Sequence, residues 1–256
     1  MSTRGIRQLI QIFALKKMPV VVKGDDIGGQ IVKAAAEEGL QIQNSDVIVI
    51  AQKIVSKAEG NIVALKSVTP STLAENISKA TGKDPRHVEV ILRETASIVR
   101  MREAHLIVET RHGFVCANAG VDKSNVEDQD SVSLLPIDPD RSAHEIRKRI
   151  LDLTGADIAV IISDTFGRAW RLGQVNVAIG VDGMQAVADY RGSQDMFGYV
   201  LNVTQMAIAD ELSSAAELAM RKSDGIPVAV IRGFNYPKGK GTARDLVRPK
   251  EEDLFR

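Results

Sequence analysis

The sequence is short of cysteine, histidine and net charge, and each shortage removes a class of function. Its 256 residues include one cysteine, Cys116, so no intramolecular disulfide can form and a zinc site built from several cysteines is excluded. Four histidines, with no HExxH spacing, argue against a zinc hydrolase. Lys plus Arg and Asp plus Glu number 33 each, for a formal net charge of +0. A general nucleic-acid or anionic-membrane surface needs a positive excess that is missing here. No GxxxxGK[ST] loop, GxGxxG turn or GxSxG elbow occurs, so P-loop, Rossmann and α/β-hydrolase chemistry lack their signatures. The N-terminal RQLIQIFAL is too short to span a bilayer, and no small-residue cleavage site follows it. The expectation is a cytoplasmic protein with neither membrane nor nucleic-acid partners.

What is present is ordinary for a globular chain: 44% hydrophobic and 26% charged residues. There is no repeat, low-complexity tract or linker. One unit over 1–256 is expected, with two interleaved lobes as a variant. Short strands and helices alternate without a regular βαβ rhythm. That pattern predicts an α+β class, with mixed sheets and packed helices.

The stretch AVIISDTFGRAWRLGQVNVAIGVDG, residues 159–183, organises the reading. Four apolar residues, rich in β-branching, predict a buried strand. Asp164 and Thr165 then stand where that strand leaves the core, next to Gly167, Arg168, Trp170 and Arg171. Oxygen ligands, a glycine and two guanidinium groups suit a metal-bound phosphate. A plain Asx turn explains the aspartate equally simply.

Similar chemistry recurs upstream. Asp46 to Gln52 predicts a buried strand, and Lys53, Ser56 and Lys57 leave it together. They read either as a solvated connection or as cationic phosphate contacts. His105–Glu109 and Phe114–Gly120 predict paired strands running into Asp122, Ser124 and Asn125. Two oxygen-rich strand ends invite a shared divalent cation, which needs oxygens converging from separate segments.

The helices carry end signals. Asp25 or Asp26 caps a first helix that stops near Gly39. Thr72 and Glu75 have capping-box spacing before Thr81-Gly82. Asp84-Pro85 starts a helix whose apolar stripe runs Val88, Ile91, Leu92, Thr95. Ser142 and Glu145 form a capping box for a helix burying Ile146, Ile150 and Leu153. Residues 184–190 predict a strand returning on 174–180 as a hairpin. Residues 203–222 predict one long helix, 228–233 a core strand, and the polar tail from Pro237 a mobile end.

Taken together, VSKAEG (55–60), NAGVDKSNVE (118–127), RKRILDLTG (147–155), SDTFGRAWRLGQVNVAIG (163–180) and DGIPVAVIRG (224–233) resemble the coenzyme F420-0:L-glutamate ligases. These are the γ-glutamyl ligases of deazaflavin coenzyme biosynthesis. The similarity covers nearly the whole chain in order. The form DTFGRAWR looks most like the ligase part of longer enzymes with a C-terminal flavin-binding domain. The sequence ends at Arg256 without one, as expected of a stand-alone form.

The resemblance implies an acid–amino-acid ligase of unusual α+β fold, working as an intertwined homodimer with Mg2+ or Mn2+ and K+. It implies that GTP activates the coenzyme F420-0 carboxylate as an acyl phosphate, that L-glutamate is added, and that a second glutamate follows through the γ-carboxyl. It further implies metal ligation by Asp122, Asp164 and Thr165, and nucleotide contacts at Lys57 and Asn125. The segment Lys16, Lys17, Met18, Pro19 matches a nucleotide-binding loop, although two lysines replace the usual acidic and glycine residues. Gln52 and Lys53 match a nucleotide contact where the family has small hydroxyl residues. Met220, Arg221, Lys222, Ser223, Asp224 and Gly225 match a late nucleotide-binding segment. Asp164, with Arg168 and Arg171, makes up the expected catalytic group, the arginines clamping either phosphate or substrate carboxylates. A metal-dependent phosphohydrolase and a non-catalytic nucleotide-binding protein are the alternatives on the same residues.

Overall fold

β-branched runs dictate the centre of the molecule. Val47–Ala51 (β2), Ala159–Arg168 (β8) and Val228–Arg232 (β12) carry continuous apolar runs over 47–51, 159–162 and 228–231. Such runs suit strands covered on both faces. The computed structural model, which describes residues 9–123 and 130–254, places them in one five-stranded sheet. Gln11–Ala14 (β1) and Arg171–Asp182 (β9) form its edges, in the order β1-β12-β2-β8-β9. Only β2 and β8 run parallel, from Val47 opposite Ala159 to Ala51 opposite Ser163.

Alternate residues feed two cores. Ile48, Ile50, Val160 and Ile162 face Ile27–Glu37 (α1) and Pro139–Thr154 (α5). Val47, Val49, Ala159 and Ile161 face Ile208–Met220 (α6) and the 184–188 segment. Gln52–Glu59 (α2) follows β2 directly. A third core joins Thr72–Thr81 (α3) and Pro85–Arg93 (α4) to His105–Thr110 (β5), which Thr95–Arg102 (β4) and Val115–Ala117 (β6) flank in a three-stranded sheet. Beside it Ile62–Ala64 (β3) pairs with Ser131–Ser133 (β7). Ala188–Asp189 (β10) pairs with Gln205–Met206 (β11). Mixed helices and several sheets confirm the α+β expectation. Among the described residues no helix is long and apolar enough to cross a membrane.

Several local expectations are corrected. Residues 53–59 are helical, because Gly60 in a left-handed conformation closes a turn there. Ser71, not Thr72, caps α3, accepting from the Ala74 N–H at 3.2 Å. Asp138, not Ser142, caps α5, and Pro139 takes the first helical position. Leu153 is exposed near that helix's end. Thr95 starts β4 instead of extending α4, whose end is set by strand pairing with Thr110. The 184–190 segment does not fold back on β9; its residues 188 and 189 pair instead with Met206 and Gln205. The long helix starts only at Ile208, residues 205–206 being a strand. The tail packs: Ala243 is buried and its N–H donates to Asp140.

Candidate functional site

The expected strand end at Ser163–Thr165 is a strand middle. β8 continues to Arg168 because β9 pairs with it through Gly167 opposite Gln174 and Arg168 opposite Arg171. What ends near Asp164 is its other neighbour. β2 stops at Ala51, opposite Ser163, and its chain turns away into α2. Asp164 and Thr165 therefore line a gap beyond the carboxyl end of a parallel strand pair, where open α/β-type sheets place ligands.

Two cavities meet there. The first, of about 380 Å³, runs between the loop at Met18–Val21, the start of α2 and the segment after α6. The second, of about 330 Å³, opens toward β6 and Asn118–Asp122. They share one wall, made of Lys53, Asp164, Thr165 and Lys222.

The wall is a compact charge cluster. Lys53 Nζ lies 2.7 Å from Asp122 Oδ2. Lys222 Nζ donates to Thr165 Oγ1, and Thr165 in turn donates to Asn176 Oδ1 at 2.6 Å. The Asn176 amide donates onward to Glu217 Oε2 at 2.9 Å. With its proton committed to Asn176, the Thr165 hydroxyl turns lone pairs toward the wall. Burial in the cleft floor pushes the Asp164 carboxyl up to about 6; Lys53 and Lys222 pull it down and Asp122 adds to the rise. Asp164 lines both cavities, and a cation bound there would offset its cost of ionisation.

Helix geometry adds fixed positive potential. Ala51, the residue before α2, lines the first cavity, and no side chain caps the helix there. Its first N–H groups point their partial charge at the cleft, an arrangement suited to anions. Lys57, one turn along, lines the same cavity. At the far rim Arg221 has φ 52° and ψ 147°, a conformation favouring glycine. Such strain is of order 1–3 kcal/mol and gathers at binding sites.

The expected residues divide clearly. Met18, Pro19, Gln52, Lys53 and Lys57 line the first cavity. Met220, Arg221, Lys222, Ser223 and Gly225 line it from the opposite side. Lys17 turns away, donating to Glu38 and to the Glu37 carbonyl, and Lys16 is exposed. Asp224 pairs with Arg221 at 3.7 Å. Arg168 and Arg171 stand at the exposed end of the β8–β9 hairpin, outside the lining of both cavities. Asn125 lies outside the described residues. Asn176 and Glu217 carry a polar relay that sequence reading missed. The signal was available in part: Asn176 is the polar position in an otherwise apolar inward face of β9.

The donor set fits a hard divalent cation, since it offers two carboxylates and one hydroxyl oxygen. Among the described residues no three of His, Cys, Asp and Glu converge on a point. Such an ion would complete its shell with phosphate oxygens and water, as Mg2+ commonly does at nucleotide sites.

A charged cleft of two chambers, at the carboxyl end of a parallel strand pair within a mixed sheet, gives the chain the layout of an α+β enzyme. Comparison with known proteins makes this specific. A family model described as F420-0:Gamma-glutamyl ligase matches residues 16–233. A Coenzyme F420:L-glutamate ligase of Methanothermobacter thermautotrophicus is 46% identical over 250 residues, covering 96% of this chain and 99% of the relative. That of Methanocaldococcus jannaschii is 50% identical over 216 residues, 84% and 86% of the two chains. That of Archaeoglobus fulgidus is 39% identical over 248 residues, 96% of each. The chain belongs to the F420-0:gamma-glutamyl ligase family.

Proposed function

We propose that the protein is a GTP-dependent ligase that adds L-glutamate to coenzyme F420-0, and then to the γ-glutamyl tail. The reading is supported by family membership and, in the geometry, by the Lys53–Asp164–Thr165–Lys222 wall common to two cavities. A ligase must bring a nucleotide phosphate and a second reactant to one place from two sides.

A carboxylate is a poor acyl donor because oxide is a poor leaving group. Transfer of the γ-phosphoryl group makes an acyl phosphate and releases GDP. The glutamate nitrogen then forms a bond to the acyl carbon, the carbon–oxygen bond to phosphate breaks, phosphate leaves with the electron pair, and the nitrogen gives up a proton to water. Lys53, Lys57 and Lys222 supply fixed positive charge where phosphate charge builds up. The start of α2 adds its N–H groups. Apolar side chains of Met18, Ile54 and Met220 line the same cavity and suit a base. Asp122, Asp164 and Thr165 would hold Mg2+ or Mn2+, which neutralises phosphate charge when bound. Arg168 and Arg171 would hold carboxylates of an acceptor that extends beyond the cavities. K+ dependence and a homodimer belong to the same reading, as does a cytoplasmic location.

The test is an assay with GTP, Mn2+, L-glutamate and F420-0, each omitted in turn, followed by mass spectrometry of the acceptor. A glutamyl mass appears only in the complete mixture, with GDP and phosphate in equal amounts. Phosphate release without glutamate and acceptor would make the protein a phosphohydrolase instead.

A further inference from the structure

The two cavities are unequal in chemistry, and phosphoryl transfer dictates which reactant each takes. Attacking and leaving oxygens lie roughly in line across the transferred group. With the nucleotide in the first cavity, the attacking carboxylate has to approach the wall from the second. The acyl carbon then lies on the second side, and the amine that attacks it must be there too.

We propose that the second cavity is the amino-acid subsite, and that Asn118 and Gln174 position the incoming amine substrate within it. This rests on the ligase reading for the identity of the amino acid. Beyond the shared wall, the polar side chains of this cavity are Asn118, Asp122 and Gln174. Among the described residues they add no cation, and with Asp122 engaged by Lys53 the two amides are left to meet an ammonium group. Lys53 and Lys222 at the wall suit the carboxylates. A volume of about 330 Å³ accommodates an amino acid.

Asn118 stands out on two counts. Its backbone is left-handed at φ 55°, as is Ala119 at φ 55°, before Gly120 at φ 70°. Two consecutive non-glycine residues in that region are held by their surroundings. Ala119 is buried in the third core, and Val121 N–H donates back to the Asn118 carbonyl at 2.9 Å. The Asn118 Oδ1 is shielded from bulk water and has no hydrogen-bond partner among the described residues. A turn of the side chain would bring that oxygen to face an ammonium in the cavity, which supplies the missing donor. Gln174, on β9 opposite Gly167, is exposed and free of such constraints, so its amide can follow a side-chain carboxylate.

The experiment compares wild type, Asn118→Gly and Gln174→Ala as full-length chains. Glycine keeps the left-handed turn without steric cost, so removal of the amide is separated from loss of fold. Calorimetric titration of L-glutamate in the presence of GDP and Mn2+ reads the subsite directly. Steady-state KM values for glutamate and GTP read it in turnover. The expected result is a rise of about tenfold or more in glutamate Kd and KM for each variant, the size of a lost charge-assisted hydrogen bond. The KM for GTP stays within about twofold, and the Asn118→Gly melting temperature does not fall. Unchanged glutamate binding in both variants, or an equal rise in the KM for GTP, overturns the proposal. So does a wild type that binds no glutamate. Absence of glutamylated product while glutamate binding is weakened by the variants overturns the ligase reading alone.

Discussion

Thr165 donates its hydroxyl proton to Asn176 at 2.6 Å, and that bond decides what Thr165 offers the cleft. The two residues face each other across β8 and β9 as a direct register pair. Asn176 is buried and is itself fixed by Glu217. The threonine oxygen is thus left with lone pairs for a cation or for Lys222. Asn176→Ala removes the acceptor and frees the hydroxyl to rotate. The expected outcome is a fall in kcat of about tenfold or more with little change in the KM for glutamate, plus a stability loss of about 1–3 kcal/mol for the unpaired neighbours. A purely structural asparagine would give the stability loss in urea denaturation with kcat intact.

Asp164 yields a prediction of opposite sign for stability and activity. Its carboxyl is raised from an ordinary 3.8 to about 6, mainly by burial. Between those values the folded protein holds a proton that the unfolded chain has released. The group therefore favours folding least above pH 6, and this cost disappears as pH falls toward 4. Asp164→Asn removes the charge. Without metal, the variant should be more stable than wild type at pH 8 by about 3 kcal/mol, with the gap closing near pH 4. It should also form no GDP. Urea titrations at the two pH values check the first part, and a variant less stable at pH 8 would refute it.

How much of this could be read in the sequence follows from what each feature depends on. The β-branched runs of β2, β8 and β12 are local facts, and so are Asp84-Pro85 at one helix start and Gly155 at another's end. All were legible. Asp164 was found for a reason that needed correction: its strand does not end, its neighbour does, and only pairing between Ala51 and Ser163 reveals that. Lys53 and Lys57 were singled out from a presumed loop, whereas α2 orients them. Asn176 and Glu217 meet from β9 and α6, 41 positions apart, with no local pattern to announce it. The second cavity depends on the left-handed turn at Asn118, and nothing in the letters NAG demands two non-glycine residues there.

Lys53 and Asp122 separate stability from function in another way. Their ion pair is partly exposed, with side chains 24% and 44% accessible, so it adds at most about 1 kcal/mol to folding. As part of the wall between the cavities, however, Lys53 meets any phosphate crossing it. Lys53→Met should melt within a few degrees of wild type while losing about 100-fold or more in kcat/KM for GTP. Thermal melts and initial rates on the same preparation decide it. A large stability loss with near-normal turnover would assign Lys53 a structural role instead.

Arg232 and Asp46 supply the converse case, an ion pair far from the cavities that holds the sheet. Asp46 is 1% exposed, and the Arg232 fork reaches it at 2.8 and 2.6 Å. A third bond runs from Arg232 to the Gln41 carbonyl at 2.7 Å, and the guanidinium lies over Phe13. The pair ties β12 to the entry of β2, the strand whose end shapes the cleft. Arg232→Ala leaves Asp46 buried without its partner, which costs about 3–5 kcal/mol. Arg232→Lys keeps the charge but lacks the planar fork, so it recovers only part of this loss. Neither residue lines either cavity of the site, so kcat and both KM values measured well below the melting temperature should match wild type. A variant of normal stability would show that Asp46 is relieved by water, and the tie between the strands would have to come from backbone pairing alone.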